Sequence, residues 1–215
     1  MAYLKKISTL GKVISPSLVW NIPNAKNTLY LSFDDGPIPE VTPWVLKMLK
    51  KYDAKATFFC IGENVKKHPE VFQEIISAGH RIGNHTYNHL NGWNTSTEDY
   101  FLNFQKAEEI LQQEIRKSES RFSNELFRPP YGKIKPAQIK RIQKYGHKIV
   151  MWEVISGDFD ANLSAEECYK NVIGNCKSGS IVVFHDSLKA EKNLRSVLPE
   201  VLEFYKQKGF SFKTI

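Results

Sequence analysis

The chain has 215 residues, a length that fits one domain with one sizeable hydrophobic core. Apolar residues make up 41% and charged residues 25%, which is ordinary globular usage and excludes disordered, collagen-like and coiled-coil proteins. Thirty Lys and Arg against 23 Asp and Glu leave a net charge of +7, which favours anionic partners such as an acidic polysaccharide.

Strand and helix signals alternate along the chain. Amphipathic stretches end in glycine just before a β-rich run at Gly79, Gly146 and Gly209, where glycine supplies the left-handed conformation of a helix C-cap. Capping-box patterns predict helix starts at Thr95 and Ser164. In chain order, the signals predict strands near 28–33, 56–60, 81–84, 126–128, 148–152, 180–184 and 210–214, and helices near 41–51, 69–78, 97–117, 135–145, 165–175 and 195–208.

This alternation predicts an α/β fold built on a parallel sheet. A complete eight-unit barrel typically has about 250 residues, so the shorter chain favours a distorted (β/α) barrel with about seven parallel strands. No linker or low-complexity segment divides the chain. We therefore expect an N-terminal extension over 1–27 and one domain over 28–215.

Several classes of location and partner are disfavoured. The first 20 residues carry Lys5 and Lys6 but no sustained apolar stretch, so a cytoplasmic protein is expected, or a cell-envelope or secreted one if a targeting segment was removed. The longest apolar runs are of strand length, which predicts no membrane span. No arginine-rich arm or known binding motif is present, which predicts no nucleic-acid partner.

Three cysteines without paired spacing predict no disulfide framework, and Cys60 is expected to be a buried thiol.

The six histidines divide by their position relative to the predicted strands. In parallel α/β folds, functional side chains collect beyond the carboxyl ends of the strands. His80 and His147 precede their strands and His68 begins a helix, so we expect structural or surface roles for all three. The residues that follow strands, and should share the functional face, are His85, His89, His185, Asp34, Asp35, Arg128 and Asp158.

Two of these groups together predict a metal site. Asp34 and Asp35 are adjacent and point in different directions, so one can bind a metal while the other handles a proton. An incidental Asp–Gly turn leaves the same pattern. His85 and His89 are four residues apart, which on a helical turn directs both imidazoles to one side. Together they predict a two-histidine, one-carboxylate set with positions left open for water and substrate, as a hydrolytic zinc requires.

Five segments carry a resemblance to a known family. They are, in chain order, Ser32–Gly36, His85–His89, Arg128–Tyr131, Trp152–Phe159 and Val183–Asp186. With these segments the chain resembles the polysaccharide deacetylases of carbohydrate esterase family four, the NodB homology domain, over about residues 28 to 214. The resemblance implies a distorted (β/α) barrel, a catalytic domain over 28–215, and hydrolysis of acetyl groups on N-acetylated or O-acetylated sugars.

The first motifs of the family imply a metal and a base. They assign Asp34 as general base with Arg128 in contact with it. They assign Asp35, His85 and His89 as ligands of Zn²⁺ or another divalent ion such as Co²⁺.

The later motifs imply an acid and a substrate wall. The backbone N–H of Tyr131 would help hold the oxyanion, His185 would be the catalytic acid, and Asp158 would orient it. The residues implied to contact substrate are Pro130, Tyr131, Trp152, Phe159 and Val183. Two positions depart from the family pattern, because Ile155 stands where an aspartate is common and Phe159 where tryptophan is commoner.

Several functions stay open. The resemblance implies a metal-dependent hydrolase of acetylated polysaccharide, above all of N-acetylglucosamine in peptidoglycan or chitin. The alternatives are an O-acetyl xylan esterase, a hydrolase of small cyclic amides, which generally lacks the intact metal triad, and a non-catalytic saccharide-binding barrel. The last would be expected to lose Asp34 or His185. Aromatic residues such as Trp93 and Tyr87 leave the same pattern whether they stack on sugar or anchor a loop.

Overall fold

The computed structural model describes residues 16–23, 25–118 and 124–215. Most of the stretch examined for a signal peptide, and much of the extension predicted over 1–27, lie outside the described residues. All candidate site residues lie within them. In these three ranges, every helix is too short or too polar to cross a membrane.

Strands and helices alternate as predicted. The strands are β1 (Thr28–Asp34), β2 (Ala56–Cys60), β3 (Arg81–Asn84), β4 (Leu126–Phe127), β5 (Lys148–Ile149), β6 (Val154–Ile155), β7 (Ile181–His185) and β8 (Ser211–Phe212). The helices are α1 (Thr42–Lys51), α2 (Gly62–Lys67), α3 (Pro69–Ser77), α4 (Thr97–Lys117), α5 (Pro136–Lys144), α6 (Ala165–Ile173) and α7 (Glu191–Gln207). Two short 3₁₀ helices, Gly92–Asn94 and Pro130–Gly132, lie in loops.

The sheet is parallel throughout these strands and follows the order β5-β4-β3-β2-β1-β7-β6, with β8 beside β1. The seven strands of this path curl into a distorted barrel, and the path ends at β5 on one side and β6 on the other. The predicted α/β class and distorted (β/α) barrel are therefore confirmed. The N-terminal segment adds two isolated bridges, a parallel one from Val19 to Val150 and an antiparallel one from Asn21 to Ser180.

The central strand β1 separates the core from the functional side of the barrel. Leu29, Leu31 and Phe33 pack into the main hydrophobic core with the surrounding helices. Successive side chains of a strand point to opposite faces, so Ser32 and Asp34 face the barrel interior. The interior thus holds a polar group at the carboxyl end of the strand, where catalytic side chains are expected.

The strand predicted over 148–152 is shorter than expected, and the chain that follows it forms another strand. β5 and β6 lie at opposite ends of the sheet path. The residues between them bond to other segments, since the Met151 N–H donates to the Val19 carbonyl at 2.7 Å and the Glu153 N–H to the Ile181 carbonyl at 3.0 Å. This stretch therefore crosses from one edge strand toward the other.

Helix boundaries differ in three places. The short helix α2 was not predicted, because its six residues are followed at once by the break before Pro69. The helix α4 is capped by Ser96, whose hydroxyl accepts the Asp99 N–H at 3.1 Å, and not by Thr95. The helix α7 begins at Glu191, four residues earlier than predicted, and an i,i+4 ion pair from Arg195 to Glu191 supports its first turn.

Candidate active site

Two adjacent carboxylates stand at the end of β1. The Asp34 side chain is buried inside the barrel, and in the strand register Asp34 lies beside His185 of β7. Asp35 has a φ of 83°, in the left-handed region that an aspartate rarely adopts. Its backbone carbonyl accepts a hydrogen bond from Asn64 Nδ2 at 2.8 Å, which holds this turn. The strained turn directs the two carboxylates to different partners, as predicted.

Asp35, His85 and His89 converge on one point. Their candidate ligand atoms all lie within 4.8 Å of one another, with Asp35 Oδ1 at 3.3 Å from His89 Nε2 and 3.7 Å from His85 Nε2. Asp35 Oδ1 is buried and has no hydrogen-bond partner. A buried carboxylate oxygen facing two imidazole nitrogens fits a divalent cation, which would satisfy all three.

The environment keeps both imidazoles suited to metal binding. Burial, and then the neighbouring His89, lower the pKa of His85 to about 3, and burial also lowers the pKa of His89. A neutral imidazole is the form that binds a metal. His85 Nδ1 lies 2.8 Å from the Arg128 carbonyl, so Nδ1 carries the proton and Nε2 is left for the cation.

The histidine pair is not formed by a helical turn, and that part of the prediction is wrong. The segment after β3 is a turn in which Thr86 and His89 have φ values of 66° and 59°. The Thr86 N–H donates to Asn84 Oδ1 at 2.8 Å, and the Leu90 N–H donates to the Thr86 hydroxyl at 3.1 Å. These bonds close the turn and place the rings of His85 and His89 5.1 Å apart.

The Arg128 side chain is completely buried and holds Asp34. Its Nη1 donates to Asp34 Oδ1 and to the Ser32 hydroxyl, both at 2.7 Å. Two backbone carbonyls just beyond β5 accept hydrogen bonds from its Nε and Nη2, and the guanidinium lies 4.0 Å from the Phe59 ring centroid. This buried ion pair fixes the orientation of the Asp34 carboxylate.

His185 and Asp158 form a second buried pair. Asp158 Oδ1 lies 2.8 Å from His185 Nδ1, and Asp158 Oδ2 accepts the backbone N–H of His185 at 2.8 Å. Burial alone would lower the pKa of His185, but the Asp158 carboxylate outweighs burial and raises that pKa to about 9. The imidazole is therefore protonated near neutral pH, and its Nε2 is the nitrogen left for substrate.

The predicted substrate residues divide between the barrel wall and the rim. Val183 is almost completely buried and lies two residues before His185 on the same face of β7. Ile155 pairs with it across the β6–β7 register, so the residue that replaces the family's aspartate adds to an apolar wall. The Phe159 ring meets the His185 ring edge-on with centroids 4.8 Å apart.

The other three lie in the loop that follows β4 or pack against it. Tyr131 has a left-handed φ of 60°, its side chain is 55% exposed, and its ring meets that of His89 with centroids 4.5 Å apart. Pro130 is buried directly before it. Trp152 is half-buried, 5.9 Å from the Arg128 guanidinium, and stands so close to Gly132 that a Cβ there would lie 2.7 Å from the indole. Trp152 is thus a wall residue with one edge in the core.

Two buried groups behind the site were not predicted. Asp186 accepts the Gly36 N–H at 3.0 Å and the Thr42 hydroxyl at 2.6 Å, and burial raises its pKa to about 8. Glu108 accepts Asn84 Nδ2 at 3.0 Å, and Asn84 in turn holds the histidine turn. Only the position of Asp186 next to His185 in the last motif could have drawn attention to it.

Two of the three histidines expected to have structural or surface roles, His80 and His147, make structural contacts. His80 Nδ1 accepts the Ala56 N–H at 3.2 Å. His147 Nε2 lies 3.1 Å from Glu108 Oε2, and both side chains are buried. Cys60 is a buried free thiol, as expected.

Known proteins resemble the chain in sequence and fold. A family model described as polysaccharide deacetylase matches residues 21–150. A peptidoglycan-N-acetylglucosamine deacetylase from Bacillus cereus is 34% identical over 209 residues, covering 96% of this chain and 95% of the relative. A crystal structure of a peptidoglycan N-acetylglucosamine deacetylase in complex with a naphthalenyl N-oxidanyl-benzamide has a TM-score of 0.87 and 33% identity, covering 97% of this chain and 95% of that one.

A third match limits what the fold can prove. A protein from Bacillus anthracis described as a pseudoenzyme of carbohydrate esterase family four has a TM-score of 0.80 and 25% identity, covering 94% of this chain and 68% of that one. Since the same fold carries a pseudoenzyme, activity has to be argued from the site residues. The family model ends before Trp152, so His185 and Asp158 lie outside the matched residues. For this pair, the similarity to known proteins comes from relatives that match nearly the whole chain.

Proposed function

The chain belongs to the polysaccharide deacetylase family, and from this premise we propose that it removes N-acetyl groups from N-acetylglucosamine residues of peptidoglycan. The observation that carries the proposal is the placement of three units at one end of the barrel: the cluster of Asp35, His85 and His89, the Asp34–Arg128 pair, and the His185–Asp158 pair. A net charge of +7 suits an anionic wall polymer.

Zn²⁺ is the cation proposed for the cluster, with Co²⁺ as a substitute. Two imidazole nitrogens and one carboxylate oxygen are a donor set that both ions accept, and the partnerless Asp35 Oδ1 fits either. His85 and His89 would bind through Nε2. When bound, a divalent cation polarises the acetyl carbonyl and lowers the pKa of water toward about 7.

Asp34 is proposed as the general base. Its carboxylate is held by Arg128 through one oxygen, which leaves the other to accept a proton from the attacking water. Asp34 and His185 are register partners on neighbouring strands, so their backbones lie about 4.8 Å apart by the usual strand spacing. Side chains that start this close together can both reach one acetyl group.

Tyr131 and His185 are proposed to complete the reaction. The backbone N–H of Tyr131, beside His89, would donate to the oxygen that gains negative charge when water attacks. His185 would then give its Nε2 proton to the sugar nitrogen as the carbon–nitrogen bond breaks, and Asp158 keeps that proton available. The products are acetate and a free amine on the sugar.

Acetate release over a panel of glycans tests the proposal. The purified protein should release acetate from peptidoglycan and chitooligosaccharides, a chelator should abolish release, and Zn²⁺ or Co²⁺ should restore it. Undiminished turnover in a chelated, metal-free sample would contradict the metal mechanism. Release from acetylxylan alone would favour the esterase alternative, and no release from any glycan by metal-loaded protein would favour a saccharide-binding barrel.

A matched pair of histidine variants locates the metal. His89→Gln should lose bound metal, whereas His80→Gln, at the other end of the strands, should retain it. Metal content by mass spectrometry is the readout. Equal metal loss in both variants would contradict the proposed ligand set.

A further inference from the structure

An exposed strip of aromatic and basic side chains extends outward from the metal cluster. It begins at the Tyr131 ring beside His89. Lys133 Nζ lies 5.9 Å from the centroid of the Tyr131 ring and 5.4 Å from that of Trp93. Trp93 is 59% exposed, so a second large ring is open to contact near the site. We call Tyr131, Lys133 and Trp93 the outer strip.

The loops that carry the outer strip are tied together. Trp93 Nε1 donates to the Ile134 carbonyl at 3.3 Å, and Gln138 Nε2 donates to the Gly92 carbonyl at 2.9 Å. The loops approach so closely that a Cβ at Gly92 would lie 2.5 Å from the Lys133 carbonyl oxygen. A surface held in this way loses little conformational entropy when a ligand binds.

Among the residues that the structure describes, no carboxylate forms an ion pair with the ammonium of Lys133, whereas the Arg141 guanidinium is paired with Glu98. Lys133 is half-buried between two rings, which restricts its side chain. An unpaired, restricted ammonium beside exposed aromatic faces is suited to a ligand that is both ring-shaped and anionic.

We propose that the outer strip binds the sugar next to the reacting N-acetylglucosamine, and that this sugar carries a carboxylate. The lactyl ether of N-acetylmuramic acid in peptidoglycan is such a group. The aromatic faces contact the sugar ring and Lys133 pairs with the carboxylate. The inference rests on the proposed deacetylase function and deepens it, because it makes the outer strip the part of the site that separates acidic from neutral glycans.

Three probes test this inference. They are a tetrasaccharide of alternating N-acetylglucosamine and N-acetylmuramic acid, the same tetrasaccharide with its carboxylates reduced to alcohols, and chitotetraose. Lys133→Gln should raise KM for the acidic probe about fivefold, the upper range for an exposed ion pair, and leave KM for the two neutral probes within about twofold. Trp93→Ala should raise KM for all three, by roughly tenfold. The effect of Lys133→Gln should shrink in high salt.

Lys208→Gln is the matched control. It removes the same charge from a lysine that also lies over an aromatic ring, 4.3 Å from the Phe204 centroid. Lys208 follows α7 and precedes β8, at the end of the sheet away from the site. This variant should leave KM for every probe unchanged.

The outcomes separate this inference from the proposed function. If wild type releases acetate but Lys133→Gln changes KM for all probes equally, or for none, the outer strip is not selective for acid and the inference is wrong while the deacetylase function stands. If wild type releases no acetate, probe affinities followed by tryptophan fluorescence decide. Lys133→Gln must then weaken Kd for the acidic probe alone, and equal Kd values for wild type and variant would overturn the inference.

Discussion

Replacing Asp158 by asparagine tests the proposed role of His185 as catalytic acid most directly. The Asp158 carboxylate is buried, with Oδ1 at 2.8 Å from His185 Nδ1 and Oδ2 at 2.8 Å from the His185 backbone N. Asparagine keeps the size of the side chain and one acceptor oxygen. The substitution therefore removes the negative charge with little change in side-chain volume, and it also removes one of the two acceptors that face His185.

The expected shift follows from the pKa of His185. Asp158 is the main group that raises it from 6.5 to about 9, a difference worth about 3 kcal/mol. Without that charge, burial should bring the pKa to 6.5 or lower. At pH 8 the variant should then hold the proton on about 1 molecule in 30, so its kcat should fall about 30-fold, with a smaller fall at pH 6. A bound cation would repel the imidazolium in both proteins alike, so the difference between them remains.

The measurement is kcat between pH 5 and pH 10 for wild type and Asp158→Asn. The alkaline limb should move to lower pH by about 2.5 units or more in the variant. Since several groups can shape such a profile, the comparison of two proteins is needed. An alkaline limb at the same pH in both proteins would refute the assignment of His185 as the titrating acid.

Stability of the metal-free protein gives a readout that does not depend on turnover. A histidine whose folded pKa is raised stabilises the fold fully below about pH 6.5, and this stabilisation is lost as pH rises through about 9. Wild type should therefore lose up to about 3 kcal/mol of unfolding free energy over this range relative to Asp158→Asn. Urea denaturation at several pH values measures it, and parallel curves for the two proteins would contradict the raised pKa.

Three further predictions address the neighbouring groups. Asp34→Asn should keep its metal while its kcat for acetate release falls by about 10²-fold or more, whereas Asp35→Asn should lose metal affinity, as measured by metal content. Equal metal loss in both variants would show that the two roles cannot be separated. Arg128→Met leaves Asp34 buried without its counter-charge and should lower the free energy of unfolding, measured by urea denaturation, by about 3–5 kcal/mol. The double variant with Asp34→Asn should lose less than the sum of the two single losses, and simple additivity would argue against the ion pair. Gly36→Ala would place a Cβ 2.0 Å from Asp186 Oδ2, so both the melting temperature and the metal affinity should fall. A variant with the melting temperature and metal affinity of the wild type would mean that the turn can move to relieve this contact.

The meeting of Asp34, Arg128 and His185 at one face of the sheet could be predicted because it follows from topology. Asp34 ends β1 and His185 ends β7, and parallel pairing brings these two ends together whatever the loops do. Arg128 follows β4 and reaches across the interior to Asp34. Once the alternation of strands and helices is recognised, the residues after each strand are known to meet at one face.

The local geometry of the metal cluster could not be predicted, because it depends on backbone strain and buried hydrogen bonds. The spacing of His85 and His89 suggested a helical turn, and the structure reaches the same convergence through left-handed residues, with Thr86 held by Asn84. Glu108, which supports Asn84, lies on the buried face of an amphipathic helix where periodicity leads one to expect an apolar residue. Hydrophobic patterns carry no information on such polar networks.

The division between strand ends and loops explains why the sequence says more about the reaction than about the glycan. The proposed base Asp34 and the proposed acid His185 stand at the ends of neighbouring strands, and each side chain is held by a buried partner. The outer strip, by contrast, lies on two exposed loops that bond mainly to each other. Substitutions there can alter which sugar is bound without moving the metal ligands. Substrate preference in this fold should therefore follow the side chains at positions 93 and 133, and a charge reversal such as Lys133→Glu should turn a preference for acidic glycans into one for neutral glycans.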